Sequence, residues 1–388
     1  MKLLVPRSIR LGVLGILTQA IFSFGPLHAP VVAAEQVSGK RLLQELIEGA
    51  RKEGQVNLFL VSSLTERGAR ELNQAFNRRF KLNITFHASL GNTTNEVPKM
   101  MEEIQVGLPP SYDVVYLSEG FLFPLIKGNG IEPIDNWEAL LKEISPEAHQ
   151  VRDQVSPLDL AGYAFAWGTR AKVINYNTDL ISESALPQTR ADMGDPKYKD
   201  AYFLPPFITE AEYGILHHPK DGWLKIVESW SKWKPPILTY EAGIQRMLLG
   251  EFKFAPSNDY YIFEYKNRDP KTPIGMAFFK DITPLTYTWH LVRKRAKHPN
   301  AAKLFALWTT SSEANRIYEN LDYSATGNLL LGTGPISRQI KQALQQRNIK
   351  LVSWWDSKKN QDALQWYTTN EGKAYSGELR AAQTGRRR

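Results

Sequence analysis

Hydroxyl, amide and phenol side chains gather at a few points of this sequence: Ser62-Ser63, Asn92-Thr93-Thr94, Ser118-Glu119 and Tyr260-Tyr261. Groups of this kind hydrogen-bond a solute, and a buried site built from them gains specificity because any unmatched polar group is costly inside it. Residues that break bonds are harder to find. No H-E-x-x-H, G-x-S-x-G, P-loop or dinucleotide fingerprint occurs. The seven histidines are dispersed, with only His217-His218 adjacent, in a polar loop, and the absence of cysteine excludes thiolate metal sites and disulfides. Glu102-Glu103 falls on the solvent side of a predicted helix, which leaves Glu119 as the one nominee for acid–base catalysis. The residues favour binding over catalysis. Tyr260 and Tyr261 sit in a predicted strand over 251–265, where neighbours face opposite sides, so one can pack in the core while the other faces a cleft. A tyrosinate iron site is the alternative use of that pair.

The elements that would position these groups alternate. A helix over 40–53 stops at Gly54, and residues 56–61 read as a strand ending at Ser62-Ser63. A helix over 65–79 and a strand over 83–87 follow. The next helix carries Val97, Met100, Met101 and Ile104 on one stripe, and Pro98 suggests that its cap is Thr94 or Asn95. Residues 113–117 form a short core strand leading into Ser118-Glu119-Gly120. Strand, helix, strand, helix, strand argues for a parallel sheet with right-handed crossovers, whose carboxyl ends line one crevice. The aromatic stretch 160–176 reads as a strand crossing into a second lobe, residues 201–204 as that lobe's first strand, and 287–293 as a returning strand after a break at Thr283-Pro284. A single long amphipathic helix is expected over 299–320.

Lys2, Arg7 and Arg10 precede an apolar run over 11–24, and Val32-Ala33-Ala34 offers a cleavage site, so residues 1–34 read as a signal peptide. A cysteine-free exported chain suits a bacterial periplasm. The formal net charge of +8 includes those three leader cations and the three terminal arginines. No basic stripe remains to bind nucleic acid. With 43% hydrophobic residues, the rest of the chain can bury a substantial core.

Several stretches resemble the bacterial extracellular solute-binding proteins of the iron(III)-type or family 1 group. They are Ala50-Arg-Lys-Glu-Gly54, the Pro-Pro-x-x-Asp-Val-Val pattern within 107–117, Ile174-Asn-Tyr-Asn-Thr178, Asp195-Pro-Lys-Tyr198, and His298-Pro-Asn-Ala-Ala-Lys-Leu-Phe305 with Ser311-Ser312-Glu313. The resemblance implies a type II periplasmic binding fold: two α/β lobes, each a mixed sheet flanked by helices, joined by two crossing strands. Residues 35–160 with 285–388 would form the first lobe and 161–284 the second. It implies a monomer that closes on a small-molecule solute and delivers it to an ABC-transporter permease, with no catalytic residue and no cofactor. By position, Ser62, Ser63, Asn92, Thr93 and Ser118 would be first-lobe contacts, Trp167 would lie near the hinge, and Thr209, Tyr240 and Tyr260 would come from the second lobe. Ferric-ion members carry a His or Tyr just after the first strand, where this chain has Ser62-Ser63-Leu64-Thr65. A small anionic or polar solute therefore ranks first, ferric iron on Tyr260 and Tyr261 second, and a secreted two-lobed enzyme using Glu119 third.

Overall fold

A computed structural model of the chain describes residues 38–386, apart from 323 and 325. The proposed leader lies outside them. No helix among the described residues is long and apolar enough to cross a membrane.

Eight strands organise the described residues: β1 (Gln55–Val61), β2 (Thr85–Gly91), β3 (Val114–Ser118), β4 (Phe165–Asn177), β5 (Phe254–Asn258), β6 (Ile274–Ala277), β7 (Thr283–Val292) and β8 (Leu351–Val352). Their order is β2-β1-β3-β7-β4-β5, with β6 also on β4 and β8 on β7. β1 runs parallel to both β2 and β3. Its alternate residues Val56, Leu58 and Leu60 are fully buried, and Phe59 on the other face is nearly so, as expected for a strand covered on both sides. Helices Gly39–Glu53 and Pro299–Trp308 pack together, while Glu66–Phe80 packs on Ser312–Tyr318. This is the mixed α/β architecture expected of the two-lobed fold.

β4 and β7 join the two lobes. The first half of β4 pairs antiparallel with β7 as far as Ala171, and its second half, from Lys172, pairs with β5 and then β6. β7 in turn pairs antiparallel with β3 from Thr288 to Val292. The change of partner between Ala171 and Lys172 puts the middle of β4 where the two sheets meet. The C-terminal segment adds a further contact. Helix Asn370–Gln383 lies on helix Lys220–Ser231, with the Tyr375 hydroxyl donating to the Lys220 carbonyl at 2.8 Å and Gln383 Nε2 donating to the Pro205 carbonyl at 2.6 Å.

The family-like motifs turn out to hold one another. Glu53 caps helix Pro299–Trp308: its Oε1 accepts from Asn300 N at 3.0 Å and its Oε2 from Ala301 N at 2.8 Å. A carboxylate is well placed there, facing the free N–H groups and positive end of the helix. Asp113 accepts from Asn57 N, Lys297 N, His298 N and His298 Nδ1, tying the start of β3 to β1 and to the same helix entry.

Several local expectations need correction. The helix after β2 begins at Thr93 with Asn92 as its cap, the Asn92 side chain accepting from Thr94 N at 2.9 Å. Pro98 therefore lies inside the helix, where it forgoes the hydrogen bond to the carbonyl four residues back. Glu103 is not a solvent carboxylate: it pairs with Arg293 at 3.1 Å. The predicted long helix breaks at Thr309, and the Ser311 hydroxyl caps a second one by accepting from Ala314 N. Residues 201–204 make only isolated bridges, Tyr202 to Phe254 and Leu204 to Ile237. β7 starts at Thr283 instead of after it, because Pro284 sits at the strand's beginning, where a missing N–H is tolerated. Tyr260 and Tyr261 are not in a strand. β5 ends at Asn258, and Tyr260 caps helix Tyr261–Arg268, so strand alternation does not govern where their rings point.

Candidate functional site

The ends of β3 and β5 meet the middle of β4 and β7 around a cleft of about 280 Å³. Ser118, Glu119 and Gly120 reach it from β3, Arg170 and Lys172 from β4, Asn258 from β5, and Thr286 and Thr288 from β7. Thr209, Glu212 and Trp354 complete much of the wall. Grooves of about 530 and 790 Å³ run elsewhere on the surface, but neither is walled by these strand ends.

Arg170 and Lys172 are two residues apart on one strand, so their side chains leave the same face. Lys172 is 7% exposed, and its Nζ donates to Asn258 Oδ1 at 2.7 Å. Burial pulls its pKa down, while the negative charge of Glu210 opposes that shift. Arg170 donates to Thr326 Oγ1 and lies 5.1 Å above the Tyr260 ring, a cation–π arrangement. The Thr326 hydroxyl accepts from Ser324, which is 3.5 Å from the Ser63 hydroxyl. A polar chain thus runs from the loop after β1 to the guanidinium.

The carboxyls around these cations are buried. Burial pushes Glu119 up to about 8, Asp259 up to about 7 and Glu212 up to about 7. Glu119 Oε1 accepts from Tyr287 N at 3.1 Å and from Trp355 Nε1 at 3.2 Å. The Tyr213 hydroxyl lies 2.8 Å from Glu119 Oε2 and 3.0 Å from the Leu285 carbonyl. One phenolic proton cannot serve both acceptors at full strength; a protonated Glu119 that donates to Tyr213 resolves the conflict. Near neutral pH, therefore, the cleft's positive charges are only partly offset by its carboxyls.

Among the residues singled out in the sequence, Ser118 and Thr209 line the cleft. Tyr260 is half-buried beneath Arg170. Ser62 and Ser63 are exposed, Ser63 at the end of the polar chain. Asn92 uses its side chain as a helix cap, and Thr93 is buried behind it. Trp167 is fully buried, its ring 4.2 Å from Tyr318 and 5.1 Å from His290. Tyr240 donates to Glu210 Oε1 at 2.9 Å and presents its ring 5.1 Å from Lys172 Nζ. Tyr261 is fully buried and donates to Glu241 at 2.9 Å. His218 is stacked on Trp223, not held free in a loop.

Sequence reasoning missed Arg170, Lys172, Asn258 and Asp259. A signal existed: two cations at alternate positions in an otherwise apolar and aromatic strand, on a face that has no reason to be solvated.

A family model described as bacterial extracellular solute-binding protein matches residues 71–327. The chain belongs to this family. No match to a curated protein sequence was found. Solved structures agree with the binding protein in fold. Apo ferric ion-binding protein A from Pasteurella haemolytica is 13% identical with a TM-score of 0.63, covering 85% of this chain and 98% of its own. The substrate binding protein of an ABC transporter from Agrobacterium tumefaciens is 16% identical with a TM-score of 0.61, covering 86% and 97%. Iron-bound HitA from Pseudomonas aeruginosa is 18% identical with a TM-score of 0.57, covering 75% and 99%. At these identities the likeness speaks to the solute-binding protein's fold and not to its ligand.

Proposed function

We propose that this protein is the periplasmic receptor of an ABC transporter, an exported monomer that captures one small anionic solute between its lobes and hands it to the membrane permease. The observation that carries the reading is the pair Arg170 and Lys172, set in a solute-sized cleft with hydroxyls, the Asn258 amide and two carboxyls, Glu119 and Glu212, that burial shifts toward the neutral form. Lobe boundaries near residues 160 and 285, on either side of the shared stretch of β4 and β7, would let those strands flex as the lobes close. The C-terminal helix 370–383, lying on helix 220–231, would travel with the second lobe. Glu119 has its oxygens committed to Tyr213, Tyr287 and Trp355, which favours a structural role over an acid–base one.

Ferric iron is the second reading, favoured by the position of Tyr260 at the cleft. Iron-bound HitA is among the structural neighbours. The donor set argues against it here. Tyr261 points its hydroxyl to Glu241, and two cations face the space that a trivalent ion would occupy. A melting-curve screen against small organic anions, neutral solutes and ferric citrate separates the readings. A ligand that binds only the folded protein stabilises it by about 2.7 kcal/mol at a hundred times its Kd. The expected result is stabilisation by an organic anion, with no visible tyrosinate–iron absorption on adding ferric citrate. A strong band that disappears in Tyr260→Phe would promote iron.

A further inference from the structure

The buried cations Arg190, Arg293 and Lys172 and the half-buried Arg170 fall into two groups. Arg190, 1% exposed, pairs with Glu210 at 3.0 Å, and Arg293, 2% exposed, pairs with Glu103 at 3.1 Å. Such pairing is the usual way of offsetting the cost of taking a charge out of water. Arg170 and Lys172 depart from it: among the described residues neither forms an ion pair. Lys172 is as buried as many core residues, yet its one hydrogen bond goes to the neutral amide of Asn258. Arg170 Nε is buried with no hydrogen-bond partner among the described residues. Asp259 is held by Ala171 N at 2.7 Å, and Glu210 is already taken by Arg190 and Tyr240.

The two cations also face different surroundings. Arg170 is bonded to Thr326 and through Ser324 approaches the loop after β1, on the first-lobe side. Lys172 sits against Asn258 and the Tyr240 ring, on the second-lobe side. Their Cα atoms are roughly 6.5–7 Å apart along the strand. Held by different partners, the two cations are both met by a ligand with negative charge at each end, whereas a single small anion seated at one leaves the other with its present neutral neighbours. Arg's fork suits a carboxylate in two-point contact, and Lys serves as a compact point charge.

We infer that the solute carries two acidic groups, one held by Arg170 and the other by Lys172, as in a short dicarboxylate, so that closing the lobes neutralises both unpaired cations with a single ligand. This rests on the reading of the cleft as the solute site. Neutral hydroxyls from Ser118, Thr209, Thr286 and Thr288 are left to recognise what lies between the acidic groups.

Calorimetric titration of the exported protein with succinate, glutarate, inorganic phosphate, acetate and glucose, at matched ionic strength, tests it. Succinate or glutarate should bind at least about tenfold more tightly than acetate or phosphate, and glucose should not bind. Arg170→Gln and Lys172→Gln should each erase most of that preference while leaving the unliganded far-ultraviolet spectrum unchanged. If Lys172→Gln does not fold, Arg170→Gln decides alone. Acetate, phosphate or glucose binding as tightly as the dicarboxylates, none of the five binding, or a preference that survives Arg170→Gln would overturn the inference. A neutral or singly charged solute recovered from the native protein would overturn it too, while leaving the solute-binding reading standing; a cleft that binds nothing at all would remove both.

Discussion

Glu210→Ala should destabilise the protein by about 3–5 kcal/mol, the largest single-residue loss expected anywhere near the cleft. Glu210 is 5% exposed and supports two elements at once: its Oε2 receives Arg190 Nη1 at 3.0 Å and its Oε1 receives the Tyr240 hydroxyl at 2.9 Å. Removing it strands the guanidinium of Arg190 in a site from which water is excluded, and that orphaned charge accounts for most of the cost. The attraction within the pair itself is a smaller part, because burying both charges cost solvation in the first place. A double change, Arg190→Met with Glu210→Leu, should accordingly recover much of the loss. Urea denaturation followed by tryptophan fluorescence checks both. A loss below about 1 kcal/mol for Glu210→Ala would mean that water reaches Arg190 and that the second lobe is looser than described.

Glu119→Gln should be nearly silent below about pH 4.5 and increasingly stabilising as pH rises from there to about 8. The folded pKa of about 8 lies above the ordinary carboxyl value of 4.5, chiefly through burial. Folding therefore takes up a proton at this site. Its contribution to stability is complete below about pH 4.5 and drains away as pH rises from there to about 8, by up to roughly 5 kcal/mol. Glutamine copies the protonated acid: its oxygen accepts from Tyr287 N and Trp355 Nε1, and its amide donates to Tyr213. The variant should lack this share of the decline, so its advantage in melting temperature over the parent should grow from about pH 4.5 to about 8 and then level off. Asp259 and Glu212, each raised to about 7 by burial, slope the same way, so a residual decline between pH 4.5 and 7 is expected in both proteins. Parallel melting curves across pH 5 to 9 would show that Glu119 is not protonated in the folded state.

The first three strands were legible because they follow a simple rule: short apolar runs between amphipathic helices, each ending in small polar residues. β4 was legible for its length and aromatic content, but the same aromatic residues drew attention from Arg170 and Lys172. A strand that changes partner in mid-course buries both faces, and only the pairing of Lys172 with Asn258 makes clear that those cations sit at a junction and not on a surface. Tyr260-Tyr261 was misassigned because β-favouring aromatic side chains outweighed the Asn258-Asp259 stop before them. In the structure Asp259 accepts from Ala171 N and the chain turns into a helix. The recurring motifs pointed to the right family, yet the roles of Glu53 and Asp113 needed contacts across more than 180 residues, to 297–301. The packing of helix 370–383 on helix 220–231 is likewise a tertiary event that helical periodicity does not encode.

The central claim is that the cleft between the lobes takes up one small solute and returns it unchanged. Native mass spectrometry tests it most directly, with the purified protein incubated in a small-molecule extract of its own cells and then rinsed into volatile buffer. The account predicts one added mass per chain, released on unfolding as an intact anion and absent in Arg170→Gln. A protein that emerges bare from every extract, or that gives back a chemically altered molecule, would contradict it.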